Sequence, residues 1–382
     1  MSAIYLDHLA STPLDPQVLD AMLPWWAPGA AGNPQAAHPA GWRAADAIEE
    51  ARGHIAALVG ARPGAVVFTS GATEANTLAL LGTLAPGAAC LVSAVEHPSV
   101  LGCLPELRRR GHPTTIVPVD ADGRVDPNAL ERALAVGAAA GTGPALVSVM
   151  AANNEVGTIQ PLAGITALAR RHGALVHSDA VQALGTRALD MPALGLDLLS
   201  LSGHKLNGPM GIGALLVRDG VRLAPPSAGG GQQGGRRPGT LPTALCVGLG
   251  AACRLARARA EEDGRRIAAL RDRLWARLEA ELSGIRRNGA ANGLAGCLNV
   301  TIPGIDAADL LLGLPELALA TGSACRSGDA EPSHVLLAMG RSAEDAHASL
   351  RFGLGRTTRA EEVDEAAARL VAAVRTAGGC PP

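Results

Sequence analysis

Short apolar runs alternate along the first two thirds of the chain with stretches whose apolar positions recur every three or four residues. Residues 65–69 (AVVFT) predict a buried strand, and the stretch from Glu74 onward predicts a helix. Residues 89–94, 115–119, 145–150, 174–177 and 196–201 predict further strands. Runs that are apolar throughout suit strands covered on both faces, and the helical stretches between them supply the cover. An α/β domain with a largely parallel sheet is the expectation. Residues 228–235 (AGGGQQGG) predict a flexible or tightly turning loop. After about residue 258 the texture changes. Ile267, Leu270, Leu274, Leu278 and Leu282 form one helical apolar stripe. Residues 298–302 read as a short strand, 307–312 as the start of a helix, and 361–374 as a last amphipathic helix. A second, smaller α+β domain is expected there.

Composition narrows the classes of function. A chain of 382 residues favours two domains, and 48% hydrophobic residues can build large cores. A net charge of −2 with 2% aromatics points to neither a nucleic-acid partner nor an anionic membrane surface. The longest apolar stretch, residues 78–95, is broken by Gly82, Pro86 and Gly87, so no membrane span is expected. The start, MSAIYLDHLAST, lacks the pattern of a signal peptide. The seven cysteines are scattered and contain no CxxC pair, which speaks against a disulfide framework or a zinc site. A cytoplasmic, reducing setting is expected.

Five stretches carry candidate chemistry. Lys205 closes the strand-like LDLLSLS in SGHK and precedes a Gly-rich turn. A pocketed lysine can lose its proton and form an imine with an aldehyde; an ordinary loop lysine is the alternative. Asp179, in HSDAVQ, lies 26 residues earlier, at the end of another strand. It could hold the ring nitrogen of pyridoxal phosphate in its protonated form, or cap a helix starting near Ala180. Thr69–Glu74 (TSGATE) joins a strand to a helix, where small residues and a helix N-terminus suit a phosphate. Cys325 sits in the small, polar TGSACRSG beside Arg326, a setting that favours thiolate. Cys90, Cys246 and Cys297 have apolar neighbours and read as core. Arg351, in SLRFG, could clamp a carboxylate or serve a buried ion pair.

The order of these signals resembles the class V aminotransferase group of fold-type I pyridoxal-phosphate enzymes. YLDHLASTPLDPQV, GNPQAAH, FTSGATEAN, EHPSV, MAANNEVGTIQP, HSDAVQALG, SLSGHKLNGPMGIG, GGGQQGGRRPGTLP, TGSACRSGDAEPSHVL and SLRFGLGRTT resemble cysteine desulfurases of the NifS/IscS kind. The resemblance implies an α/β fold: a large domain with a mostly parallel seven-stranded sheet (residues 15–258) and a smaller α+β domain (residues 1–14 and 259–382) carrying a mobile cysteine loop at about 321–336. It implies pyridoxal 5'-phosphate joined to Lys205, with Asp179 on the ring nitrogen, Gln182 on the ring hydroxyl and His97 stacked on the ring. Ala72, Thr73, Ser202 and His204 would hold the phosphate, with Thr240 arriving from the partner of a homodimer. Asn154 and Arg351, helped by Asn33, would orient the carboxylate of L-cysteine.

The activity that the resemblance implies is conversion of L-cysteine to L-alanine. Lys205 would move the α-proton, His97 would assist, and Cys325 would receive the sulfur as a persulfide. An acceptor such as an iron–sulfur scaffold or a tRNA- or cofactor-thiolation relay would take it on. Cys325 could meet a nascent iron–sulfur cluster there; no resident metal is expected. The rival readings are a selenocysteine lyase or another class V aminotransferase-type enzyme, and a non-catalytic sulfur-relay scaffold. Met210, Gln233, Pro238 and His8 depart from the usual pattern without removing a catalytic group.

Overall fold

The computed structural model describes residues 3–139, 145–225, 227–321 and 331–378. Seven strands form the central sheet: β1 (Val66–Thr69), β2 (Cys90–Ser93), β3 (Thr114–Val117), β4 (Leu146–Ser148), β5 (Leu175–Asp179), β6 (Leu198–Ser202) and β7 (Gly213–Val217). Their order is β1-β7-β6-β5-β4-β2-β3. β7 runs antiparallel to β1 and β6, and the remaining neighbours are parallel. Six of these strands match apolar runs in the sequence. β7 (GALLV) is the addition: it starts so close to the Gly-rich turn at residues 208–211 that its short apolar run reads as part of that turn. β3 sits at the edge and is the one strand of the seven with exposed positions, Ile116 among them.

Helices cover both faces. α1 (Pro39–Leu58) and α3 (Thr243–Glu281) pack on one side, through Ile48, Ile55, Cys246, Leu249 and Cys253. α2 (Ala72–Thr83) lies on the other, through Ala75, Leu78 and Ala79. α3 has 39 residues and runs without a break through residue 258. Its first half buries Ala252 and Ala256 against the sheet. Its second half turns Ile267, Leu270, Leu274 and Leu278 into a separate core, the stripe read in the sequence.

That second core belongs to a four-stranded antiparallel sheet made of β8 (Arg286–Asn288), β9 (Cys297–Thr301), β10 (Ala320–Thr321) and β11 (Ser349–Gly353). A last helix, α4 (Ala360–Thr376), closes it with Val363, Ala367, Leu370 and Val374. The N-terminal residues Ile4 and Leu6 join this core, and Ile4–Tyr5 pairs with Leu317–Ala318. Arg356 ties the two ends of the architecture together, donating to Asp15 at 3.0 Å and to Asp263 at 2.8 Å.

Gln233 shows what one departure from the expected pattern does. It adopts a left-handed φ of 55° and lays its side-chain amide along β1. Its Oε1 accepts from the Phe68 N–H at 2.7 Å, while its Nε2 donates to the Phe68 carbonyl at 2.9 Å. An acidic side chain could accept but not donate, so only an amide satisfies both backbone groups of the edge strand.

Candidate active site

The C-terminal ends of β5 and β6 and the turn after β1 open into one cavity of about 550 Å³. Ligands of open α/β sheets gather at such strand ends. Ala72, Thr73, His97, Asn154, Asp179, Gln182, Ser202, His204, Lys205 and Arg351 all line it. In the sequence only the family resemblance groups these ten; the fold brings them to the walls of one site.

The turn before α2 is built for close approach. Gly71 caps the helix with no side-chain hydrogen bond, so the first N–H groups of α2 remain open to an anion. A Cβ on Gly213 would lie 2.8 Å from Gly71 Cα and 2.6 Å from the Leu201 carbonyl, so glycine alone lets β7 pass behind this turn. Glu74 fastens the turn, accepting from Ser70 N at 2.5 Å and from Arg237 at 2.8 Å. That ion pair and hydrogen bonding hold its carboxyl below the usual range, although burial acts the other way.

Asp179 ends β5 and divides its two oxygens. Oδ1 accepts from the Val181 N–H at 3.0 Å, and Oδ2 accepts from Asn76 Nδ2 at 2.7 Å. The residues after Ala180 are turns rather than a helix, so the capping alternative reduces to one local turn bond. Lys205 ends the short 3-10 segment after β6. Its Nζ donates to the carbonyls of Leu9 and Ala10, the latter at 2.8 Å, and Gln182 Nε2 reaches the same Leu9 carbonyl at 2.9 Å. Lys205 is also the single lysine in the whole sequence. His204 is half-buried, and burial with the Lys205 charge beside it lowers its pKa to about 4. It is neutral near pH 7 and keeps one N–H to give.

Arg351, on β11, is 3% exposed. Nη1 donates to the Asn154 carbonyl at 3.0 Å and Nη2 to Asp7 at 2.8 Å, while Nε has no partner among the described residues. A buried guanidinium at the wall of an open cavity suits a substrate carboxylate. Three further residues emerge only in the fold. The sequence gives no pointer to Asp7, whose partner lies 344 positions away. Asn76 reads in sequence as the interior of an ordinary helix, and Ser99 carries no reading of its own. Both line or underlie the site.

Two expected residues lie elsewhere. Asn33 is exposed and accepts from the Gln35 N–H, outside the cavity lining. Thr240 is exposed and lines a separate hollow with Gln232 and Gln233. Cys325 lies outside the described residues. The five described cysteines are all buried and free. Burial pushes the thiols of Cys90, Cys246 and Cys297 up to about 12, which removes them as nucleophiles.

The set fits pyridoxal phosphate: an open helix N-terminus for the phosphate, a carboxylate at a strand end, and an amine in the same cavity. The Aminotransferase class-V family model matches residues 4–366. The chain belongs to that family. A mitochondrial cysteine desulfurase of Arthroderma benhamiae is 44% identical over 371 residues, covering 94% of this chain and 72% of that one. A solved NifS-like protein superposes with a TM-score of 0.88 at 31% identity, covering 98% of this chain and all of the other. The structure titled SspA in complex with cysteine gives 0.81 at 36% identity, covering 92% and 98% of the two chains. The cysteine desulfurases are the branch to which this chain belongs, and the enzymes of that branch are pyridoxal-phosphate dependent.

Proposed function

We propose that this enzyme removes sulfur from L-cysteine, releasing L-alanine, and holds the sulfur on Cys325. The observation that carries the reading is the convergence of Lys205, Asp179 and Arg351 on one cavity. Pyridoxal phosphate, joined to Lys205, supplies the electron sink that makes the α-proton of the amino acid removable. The chain's own residues do the rest. Arg351 and Asn154 orient the carboxylate of the substrate. Lys205 takes the α-proton and returns it, and His97 assists. Asp179 would hold the ring nitrogen, Gln182 the ring hydroxyl, and Ala72, Thr73, Ser202 and His204 the phosphate. The Cys325 thiolate attacks the substrate sulfur: a sulfur–sulfur bond forms, the carbon–sulfur bond breaks, Cys325 is oxidised to the persulfide, and the carbon fragment is reduced to alanine. A plain aminotransferase has no use for such a cysteine, and a scaffold has no use for Lys205.

The larger assembly is part of the same reading. The enzyme works as a homodimer in which Thr240 completes the partner's phosphate site, while Asn33 assists Asn154 and Arg351 with the substrate carboxylate. The persulfide passes to an acceptor protein such as an iron–sulfur scaffold. A reducing compartment, the cytoplasm, suits the free thiols. The large unit spans residues 15–258, and residues 1–14 and 259–382 make the small one.

Mass spectrometry after brief exposure to L-cysteine tests the proposal. One added sulfur is expected on the peptide containing Cys325, together with alanine release. Cys325→Ser should keep its yellow cofactor and still bind cysteine, yet carry no persulfide. An added sulfur on Cys103 or Cys380, with Cys325→Ser fully active, would show that the wrong thiol has been chosen.

A further inference from the structure

We propose that Asn76 is a positioning residue that couples the Asp179 carboxylate to the His97 imidazole, so that the two groups meeting the cofactor ring are held as one unit. The inference rests on the reading of this cavity as the cofactor site. Asn76 lies one turn into α2 and its side chain is fully buried. Its Nδ2 donates twice, to Asp179 Oδ2 at 2.7 Å and to Ser99 Oγ at 2.9 Å. Ser99 Oγ in turn lies 2.8 Å from His97 Nδ1. Four side chains from α2, β5 and the EHPSV segment therefore form one unbroken chain.

The direction of each bond is dictated by chemistry. Asp179 can only accept when ionised, so the amide must present Nδ2 to it. That choice leaves Asn76 Oδ1 buried without a partner among the described residues. A residue kept for packing alone would be apolar here; the amide is tolerated with one unpaired oxygen because its other end makes two bonds. Ser99 Oγ accepts from Asn76, and its proton points to His97 because Nδ1 already accepts from a backbone N–H and so carries no proton of its own. The Ser99 N–H also donates to His97 Nδ1, at 3.1 Å. With two donors on Nδ1, the neutral ring must carry its proton on Nε2. Burial lowers the pKa of His97, Lys205 and His334 reinforce this, and Asp179 opposes it. Burial thus favours the neutral ring, the only form in which a tautomer exists to be chosen.

The coupling is tested on folded apoenzyme, with circular dichroism confirming the fold. Histidine labelled with nitrogen-15 should report His97 as the Nε2–H tautomer. Ser99→Ala, which removes one of the two donors to Nδ1, should shift that signal toward a tautomer mixture, and Asn76→Ala, which releases the Ser99 hydroxyl from its second partner, should do so to a smaller extent. Pyridoxal phosphate is then titrated into the apoenzyme. Loss of one hydrogen bond to a charged group predicts about tenfold weaker cofactor binding in Asn76→Ala. A double-mutant cycle with His97→Ala supplies the readout that a merely structural role would not move. Coupling predicts non-additive effects on cofactor affinity, by about threefold or more. Ser99→Ala, cut at the other link, should reproduce the non-additivity if Asn76→Ala fails to fold. Additive effects with an unchanged tautomer overturn the proposal while leaving the site assignment intact. Failure of the wild-type apoenzyme to bind pyridoxal phosphate at all would instead overturn the site assignment and the coupling with it.

Discussion

Lys205 is alone among the chain's Lys and Arg residues in being a primary amine, since all the others are arginines. An arginine guanidinium stays charged and cannot form an imine, so aldehyde chemistry on a side chain has one possible address. Borohydride reduction of the cofactor-loaded protein, with digestion afterwards, should therefore label a single side-chain site, on the peptide containing Lys205. Lys205→Arg should lose both label and turnover while keeping its charge and fold. Label elsewhere, or turnover near the wild-type level, would sink the assignment. A second residue-scale prediction concerns Glu155, beside the cavity-lining Asn154. Burial pushes its carboxyl up to about 7, against the Ser333 hydroxyl and Arg351, which both favour the anion. The folded state thus holds the proton more tightly than the unfolded chain, whose value is near 4.5. The destabilisation is absent below the unfolded value, grows as pH rises through that window, and is complete above about 7. Glu155→Gln should gain stability relative to wild type on going from pH 5 to pH 8, by on the order of 3 kcal/mol in urea unfolding. A constant offset across that range would contradict it. Lys205 and Asp179, which line the cavity, are legible in the sequence because each sits in a short motif whose neighbours are odd for a core or a surface. Asn76 and Asp7 are not, because their partners Asp179 and Arg351 are distant in sequence and only the fold joins them.

At the scale of elements, the turn before α2 depends on what passes behind it. β7 enters the sheet at Gly213, where a methyl group would press on Gly71 and on the Leu201 carbonyl together. Both are backbone and neither can swing aside. Gly213→Ala should therefore cost about 1–3 kcal/mol of stability, as overpacking does. Because one of the displaced atoms belongs to the phosphate turn, cofactor affinity should fall too, and titration of apoenzyme with pyridoxal phosphate measures it. Loss of stability without loss of affinity would mean that the turn holds its shape independently. The element pattern also shows where sequence reading stops. Buried parallel strands announce themselves as unbroken apolar runs, and the apolar runs place β1 to β6 within two residues at either end. The glycines beside β7 hide it. The long α3 is legible only in its second half, where an amphipathic stripe faces one core; its first half, rich in Ala, Gly and Cys, is packed too closely for a polar face to show.

The whole molecule raises the matter of what Thr240 is for. In one chain it is exposed, away from the cavity that holds the other expected phosphate residues. It lies three positions beyond Arg237, whose side chain reaches the phosphate turn through Glu74 at 2.8 Å. The segment is therefore anchored at one end while Thr240 faces outward. Exposed Trp26, Trp42, Leu23 and Met210 add apolar surface that a monomer would leave wet. A homodimer resolves both facts if Thr240 of each chain serves the phosphate of the other. Mixed dimers separate this arrangement from one in which each chain is self-sufficient. A dimer of two Lys205→Ala chains should be inactive, and a dimer of two Thr240→Ala chains should bind the cofactor weakly. In a shared arrangement, pairing one chain of each kind places both defects in one site and leaves the other whole. Such a heterodimer should recover about half the wild-type activity per dimer, at wild-type cofactor affinity. If each chain used its own Thr240, the heterodimer would hold one site without the lysine and one without the threonine. Its remaining activity would then need the raised cofactor concentration of the Thr240→Ala protein. Titrating pyridoxal phosphate against the activity of the purified heterodimer decides between the two, and a need for raised cofactor in that sample would overturn the shared site.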